Sequence, residues 1–521
     1  MKRKEVYILN KCQLRNRYLY STVKYIFLTV HITIFLLCLF SFRVSYKYKL
    51  NISNYNLGLF CIGVLSLLLF LFIIHKLEYK KKYLILASLI LFLFQIILAY
   101  HYYFYTGWDA QELITNASFL SNKNLNELNN NYFSRYPNNI FLTVLFSKVF
   151  EIFKGSFGAD LSYFILIVIQ SFINIVSGFF IGEITFNITK NSTIALTSYF
   201  LYLVLLYLSP WVTIPYSDSF GLVIPITIYY CYINTRMHSN LKIVCITLIS
   251  ILGYYIKPQT IIMVIAIILV SLLFDKINIK LLIKTIILII SVGVPLYIGI
   301  KYVNNNAGFG LNPEAEITYH HFIKMGLNSI TDGGYLAADY FDSTQFDKKE
   351  DRINHDWNEV KRRINEYGLV GLAKHQIKKT LNNYNDGTFA WGLEGTFYRE
   401  IIPNETLIAK IIRSLYYQDG KMHVFFDIFT QSFWILVLGL LLGMFIVDTS
   451  SINLEFLVLI FSLIGLFLFE SIFESRARYL YTYIPIFIVM ASIGLNQIIK
   501  KSEKFIRFLG LKMIGEKNEQ K

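Results

Sequence analysis

Residues 51–75 and 83–108 contain no charged side chain, and similar apolar runs recur along almost all of a 521-residue chain. Such runs leave few folds open. A water-soluble domain cannot bury so much apolar surface, whereas a helix satisfies its own backbone and is stable in hydrocarbon. Hydrophobic residues make up 55% of the chain and charged residues 16%. An all-α polytopic membrane protein is therefore expected. Candidate spans are 25–42, 56–75, 83–102, 161–182, 194–208, 219–234, 241–256, 260–274, 281–300, 429–447, 454–472 and 478–497. A further apolar segment, 138–153, is short and carries Lys148.

The charge pattern assigns sides. Lys and Arg number 49 against 34 Asp and Glu, a net charge of +15. They gather at span ends rather than along one basic face. That distribution fits the positive-inside bias and argues against nucleic acid as a partner. Lys2, Arg3, Lys4, Lys11, Arg15 and Arg17, the segment Lys76–Lys82, the segments Arg236–Lys242 and Asp275–Lys284, and the tail from Lys500 are expected to be cytoplasmic. Two cytoplasmic termini require an even number of spans. Reading 138–153 as a juxtamembrane or re-entrant helix leaves about twelve, although demoting 194–208 would serve equally. The outward segments are then 103–160, 209–218, 257–259, 301–428 and 473–477. The chain divides into a tail with two extra spans (1–82), a membrane core (83–300), an outer loop domain (301–428), C-terminal spans (429–497) and a basic cytoplasmic tail (498–521).

The first apolar stretch has no small-residue cleavage site, so it reads as a span rather than a removable signal. None of the five cysteines lies in the long loop, so no disulfide framework is implied. No HExxH, CxxC or Gly-rich phosphate loop is present. No cofactor is indicated, and metal dependence stays open.

The residues able to carry chemistry fall in the outward set. Asp109, in Trp108-Asp109-Ala110, follows a span inside an aromatic loop. It serves either as a helix cap or as a general base whose carboxylate is partly desolvated. Glu112, one turn on, shares its face. Arg135, in Arg135-Tyr136-Pro137-Asn138-Asn139, either grips a phosphate or snorkels to a headgroup, and Pro137 starts the short helix. Asp218, in Tyr216-Ser217-Asp218-Ser219, is an N-cap or a second acid of the site. Lys257 neutralises a phosphate or snorkels. Trp391 ends the aromatic turn Asp386-Gly387-Thr388-Phe389-Ala390-Trp391, suited to stacking on a sugar or to closing a loop. Arg476 and Arg478, in Glu474-Ser475-Arg476-Ala477-Arg478-Tyr479, run against the inside preference for basic residues and suit an anion. In the long loop, Asp356-Trp357-Asn358-Glu359 has the spacing of a helix N-terminus. A basic amphipathic helix over about 357–381, suited to a membrane surface, is expected to follow it.

An acid in the first outer loop, a second at a later outer junction and an Arg-Tyr pair opening the final span resemble the GT-C superfamily of integral-membrane glycosyltransferases. The patterns Trp-Asp-Ala, Tyr-Pro-Asn-Asn, Tyr-Ser-Asp-Ser, Asp-Gly-Thr-Phe and Ala-Arg-Tyr are similar to Gram-positive members related to protein O-mannosyltransferases and aminoarabinose transferases. The resemblance covers about 83–497. It implies a GT-C-like helical bundle at the plasma membrane. It also implies a polyprenyl-phosphate-linked sugar as donor, with Asp109 and Asp218 catalytic and Arg135, Lys257, Arg476, Arg478, Tyr479, Trp391 and Glu112 binding substrate. Asp109-Ala110 stands where the O-mannosyltransferases have Asp-Glu, which favours a glycan or wall polymer over protein as acceptor. The implied reaction is inverting transfer in one displacement. A polymerase of lipid-linked repeat units would share these features. A transporter should show charges within spans and an internal repeat, and the sequence offers neither.

Overall fold

The protein is described from a computed structural model over residues 2–153, 159–274, 279–395, 398–448 and 453–508. Its helices follow the apolar runs closely. The first, α1 (Lys2–Leu39), takes the basic tail and the first span into one helix; α2 (Asn56–Ile74) and α3 (Lys81–Tyr100) complete the N-terminal hydrophobic set. A short strand, β1 (Phe104–Thr106), leads into α4 (Asp109–Ser121), α5 (Asn130–Arg135) and α6 (Ile140–Phe153). The core continues with α7 (Ala159–Thr189), α8 (Ser192–Tyr202), α9 (Ser217–Gly221), α10 (Val223–Ile233), α11 (Ser239–Ile256), α12 (Ile261–Phe274) and α13 (Ile279–Asn305). The outer loop domain folds as α14 (Tyr319–Gly326), α15 (Ala337–Thr344) and α16 (Lys349–Tyr384), followed by β2 (Tyr398–Ile401) and α17 (Leu407–Tyr416). Three helices close the chain: α18 (His423–Leu441), α19 (Leu454–Ile472) and α20 (Ile484–Phe508). The chain is an all-α polytopic membrane protein. Among the described residues its one sheet is the antiparallel ribbon β1–β2, which pairs Phe104 with Ile401 and ties the first outer loop to the large one.

Nine of these segments are long and apolar enough to cross a membrane, and Ser192–Tyr207 and Pro258–Phe274 are apolar but shorter. The remaining expected span, 219–234, is the pair α9–α10. Leu222 between them keeps helical dihedrals, and Pro225 explains the interruption because it has no N–H to bond Gly221 one turn back. The segment 194–208 ends in a π-turn, Leu203–Tyr207, closed by Leu208 N–H donating to Leu203 O. Such turns loosen a helix where the chain must be re-aimed.

The two ends of the bundle collect different residues. At one end a cavity of about 740 Å³ is lined by Lys81, Glu183, Lys190, Arg236, Asn453 and Gln497, among others. All come from segments that the alternation of spans places on one side of the membrane. The helix α3 carries the chain from Lys81 at this end to the Asp109 loop at the other. The segment 192–207 likewise starts beside Lys190 in the cavity lining and leads to Trp211, which donates to Thr388 O and Phe389 O of the outer loop domain. It therefore traverses the bundle. The segment 138–153 does not: it starts at Pro137, and α7 begins again at the same end, where Tyr163 donates to Phe104 O and Thr213 O. Pro137 opens the turn before α6, as its fixed φ favours.

Two sequence expectations are corrected in the loop domain. Asp356 does not begin a helix. The helix α16 starts at Lys349, and Asp356 is buried in its second turn, where Lys324 Nζ lies 2.7 Å from Oδ1. The helix is longer than 357–381 and is broken at Gly368 (φ 56°, ψ −176°), a conformation that suits glycine. The second N-terminal span is tied into the rest of the bundle. Asn56 Nδ2 donates to Asn385 Oδ1 at 2.6 Å, Gln431 Nε2 donates to Asn56 Oδ1 at 3.0 Å, and Gly387 N–H donates to Gln431 Oε1 at 2.6 Å. This buried network locks α2 and α18 to the turn after α16.

The charge rule predicts that the loop domain faces outward. Cysteine at the exposed position Lys361 should react with an impermeant maleimide in intact cells, and cysteine at exposed Ser502 should react only after permeabilisation. Labelling of Ser502→Cys alone in intact cells would reverse the topology.

Candidate functional site

Three of the singled-out residues, Asp218, Lys257 and Arg478, drawn from three separate interhelical segments, meet in one cluster with Trp108. Asp218, in the first turn of α9, is 3% exposed. It does not cap that helix: Tyr216 holds the N-cap position, and Asp218 points to two cations. Lys257 Nζ donates to Asp218 Oδ1 at 2.5 Å, and Arg478 Nε lies 3.7 Å from Oδ2. The Pro258 turn after α11 presents Lys257, and the 3₁₀ turn Ala477–Tyr483 that opens the last span presents Arg478. Both cations sit on aromatic faces. The Arg478 guanidinium is 4.3 Å from the Trp108 ring and 5.7 Å from that of Tyr216, and Lys257 Nζ is 5.0 Å from the Tyr479 ring. Two cations thus share one buried carboxylate. Asp218 Oδ2, Arg478 Nε and Trp108 Nε1 have no hydrogen-bond partner among the described residues. Buried groups of this kind call for an explanation, and a ligand is one.

Asp109 borders this cluster. It is the first residue of α4, with Trp108 in the N-cap position, and no side-chain cap bond is made there. Tyr216 Oη donates to Asp109 Oδ2 at 3.5 Å, so the Tyr216 and Trp108 rings separate Asp109 from Arg478. Tyr132 and Tyr136 complete its surroundings. Burial, and then the negative charge of Asp109, raise both phenols above their ordinary range and keep them protonated. Asp109 is thus a half-buried acid in an aromatic box.

The other predicted residues are placed differently. Glu112 accepts from Asn129 Nδ2 at 2.9 Å and from Asn116, which fastens the α4–α5 connection. Arg135 donates to the Tyr340 hydroxyl and lies over that ring at 5.6 Å, on the loop-domain side of Tyr136. Arg476 donates through Nε to Glu474 at 2.8 Å and covers Tyr335, so its charge is matched beside the cluster rather than within it. Trp391 offers no face to a sugar: it is 0% exposed, donates through Nε1 to Tyr416 O at 2.8 Å and packs edge-on against Trp211. Its turn is a scaffold. Phe389 and Ala390 both hold positive φ (53° and 70°). Asp386 fixes them by accepting from Thr388 N–H and Ala390 N–H, each at 2.8 Å. Left-handed non-glycine residues persist only when the surroundings over-determine them. Here Trp211 donates to Phe389 O at 3.0 Å, so the strained turn braces the Asp218 junction.

Two features escaped the sequence reading. Glu470, inside the apolar run of α19, is buried with both carboxylate oxygens unpartnered, and it faces the charges of Lys379, Lys257 and Asp218. A lone acid in an apolar run was the available signal. The second is a buried ion network in the loop domain. Lys324 lies 2.9 Å from Asp342 and 2.7 Å from Asp356, His355 Nε2 lies 2.8 Å from Asp342, and Arg363 pairs with Asp339 at 2.6 Å. Asp342, His355 and Asp356 have the donor set of a metal site, but the ammonium of Lys324 already bridges the two acids. Burial pushes the nearby His321 imidazole down to about 4, so it stays neutral beside Ser343.

Removing one member of a buried ion cluster typically costs about 3–5 kcal/mol, because a charge is left uncompensated. Asp218→Asn should therefore lower the thermal stability of the purified protein. Asp218→Asn combined with Lys257→Met should recover part of the loss. Equal stability of the wild type and the single variant would show that the cluster is solvated.

Among curated proteins and among solved structures, nothing matches the chain. Residues 60–499 match the family model described as "conserved hypothetical integral membrane protein". This stretch takes in Asp109, Asp218, Lys257 and Arg478, and the chain belongs to that family.

Proposed function

We propose that this protein is a glycosyltransferase of the plasma membrane. It moves a sugar from a polyprenyl-phosphate carrier to a glycan or wall-polymer acceptor at the outer face, with both termini in the cytoplasm. The observation that carries this reading is the convergence of Trp108, Asp218, Lys257 and Arg478 beside Asp109. It supplies a cationic site next to an acid, at the end of a bundle that lipid surrounds.

Each residue type suits one part of the reaction. Arg478 is permanently charged and its Nε makes no hydrogen bond among the described residues, and Lys257 adds a second cation. Together they hold the carrier phosphate and take up the charge that develops as it leaves. Asp218 keeps both cations in place, and the Trp108 and Tyr216 faces hold Arg478 short of full contact with it. Asp109 accepts the proton of the acceptor hydroxyl. The hydroxyl oxygen bonds to the anomeric carbon, the bond from that carbon to the phosphate oxygen breaks, and its electron pair departs with the polyprenyl phosphate. One displacement inverts the anomeric configuration. The phenols of Tyr132, Tyr136 and Tyr216, kept protonated, orient the carboxylate and the incoming sugar.

Asparagine at position 109 retains shape and hydrogen bonding without basicity. General-base catalysis contributes about 10²–10⁴-fold. Asp109→Asn should lose turnover in that range while still binding the donor lipid. Arg478→Ala should weaken donor binding more than Arg478→Lys does, by about 1.5–3 kcal/mol for one charge-assisted contact. Transfer from a radiolabelled polyprenyl-phosphate sugar, measured at matched protein levels, decides both. Wild-type turnover by Asp109→Asn removes the base, and unchanged donor affinity in Arg478→Ala removes the phosphate site.

A further inference from the structure

The second half of α16 is built inside out. Beyond the break at Gly368, the buried residues include His375, Lys379 and Asn382, spaced four and three apart on one helical face. Apolar Leu369 (90% exposed), Val370 (69%) and Ile377 lie on the outside, with Ala373 and Lys374 between them. A helix bordering water would carry the opposite pattern.

The buried polar face is fully occupied. His375 Nε2 and Lys379 Nζ donate to Gly326 O at 2.9 and 3.1 Å, and Asn382 Nδ2 donates to Thr331 O and Asp332 O at 3.1 and 2.9 Å. These side chains are held by backbone carbonyls of the 326–334 loop, so the helix cannot roll to bury its apolar side.

Its level relative to the bilayer follows from α19. Gln376 and Lys379 both donate to Ser471 O at 3.1 Å, and Asn383 donates to Glu470 O at 3.4 Å. Three residues of α16 spread over about 10 Å of helix thus meet two adjacent residues at the end of a membrane span. The helix crosses the end of the span instead of continuing it. The last turns of α19 present Leu468 and Ile472 to the exterior, continuous with this edge. The first half of α16 differs: its exposed side carries Glu359, Arg362 and Glu366 as ion pairs.

We infer that residues 369–377 form an interfacial helix whose apolar side rests in the outer boundary of the lipid bilayer, turned onto it by the break at Gly368. Lys374, on the exposed side, reaches toward lipid phosphate while its stem stays in the apolar layer. The loop domain is accordingly anchored to the membrane at this point, and only the part before Gly368 stands in water.

The test uses the unmodified protein in nanodiscs that contain a phospholipid with a photoreactive diazirine on its acyl chain. After irradiation, adducts are mapped by peptide mass spectrometry. Adducts on 369–377, alongside those on the lipid-facing helix 56–74 and on none of the residues 349–366, are the expected result. Labelling of 56–74 without any of 369–377 overturns the inference. So does a zero-length cross-link between two copies through Lys374, which would assign the surface to self-association. The variant Leu369→Asp with Val370→Asp should lose the adducts on 369–377 and keep those on 56–74. Retention of both sets would mean that the acyl chain does not depend on this face.

Discussion

Burying Asp218 at the edge of a membrane is the constraint on which the site depends. A carboxylate taken out of water loses several kcal/mol of solvation, and so does each cation brought to it. The arrangement persists because the charges are mutually close and because Trp108, Tyr216 and Tyr479 supply polarisable faces in place of water. That requirement reaches far into the fold. Lys257 and Arg478 come from separate interhelical turns, so α11 and the final span must end at the same depth. The Pro258 turn and the 3₁₀ turn after Arg476 set those ends, and Gln259 Nε2 donating to Tyr479 O at 2.7 Å joins them.

How far the sequence disclosed this follows from where the physics is local. Spans were legible because the bilayer imposes length and excludes charge at every point along a helix. Asp109, Asp218, Lys257 and Arg478 stood out because a charge at an outer junction is costly wherever it lies. Trp391 was misjudged because an aromatic residue in a turn looks alike whether it faces a ligand or a core. Only the contacts with Trp211 and Tyr416, both distant in sequence, distinguish the two. Asp356 carried the spacing of a helix start, but Lys349 starts the helix, and the partner that explains Asp356 is Lys324, thirty-two residues earlier. The apolar and basic mixture after Gly368 did suggest a membrane-facing helix. Sequence alone could not show that His375, Lys379 and Asn382 would be held by backbone carbonyls of the 326–334 loop.

The loop domain and the membrane core are joined by main-chain contacts as much as by side chains. Gly333 O accepts from Ser475 N–H at 2.7 Å, and Gly326 O accepts from His375 and Lys379. A side chain at Gly326 would meet Phe473 O at 2.7 Å, and one at Gly333 would meet Gly326 O at 2.8 Å, so both positions need glycine for close approach. The loop 326–334 is thus clamped between α16 and the turn that carries Glu474, Arg476 and Arg478.

That clamp gives the ion network of the loop domain a role beyond its own stability. Lys324 lies two residues before Gly326, and its bonds to Asp342 and Asp356 fix α14 against α15 and α16. Any shift of α14 would move the 326–334 loop, and with it the backbone to which Ser475 is bonded. Arg478 lies three residues beyond Ser475, in a turn packed against that loop. Its offset of 3.7 Å from Asp218 is therefore set by two frames. From the membrane side it is fixed by Trp108 and Tyr216, and from the loop domain by a chain of backbone hydrogen bonds that leads back to Lys324. A cation held from both sides stays short of full contact with its own carboxylate, and that residual separation is what leaves it charge to share with an anion.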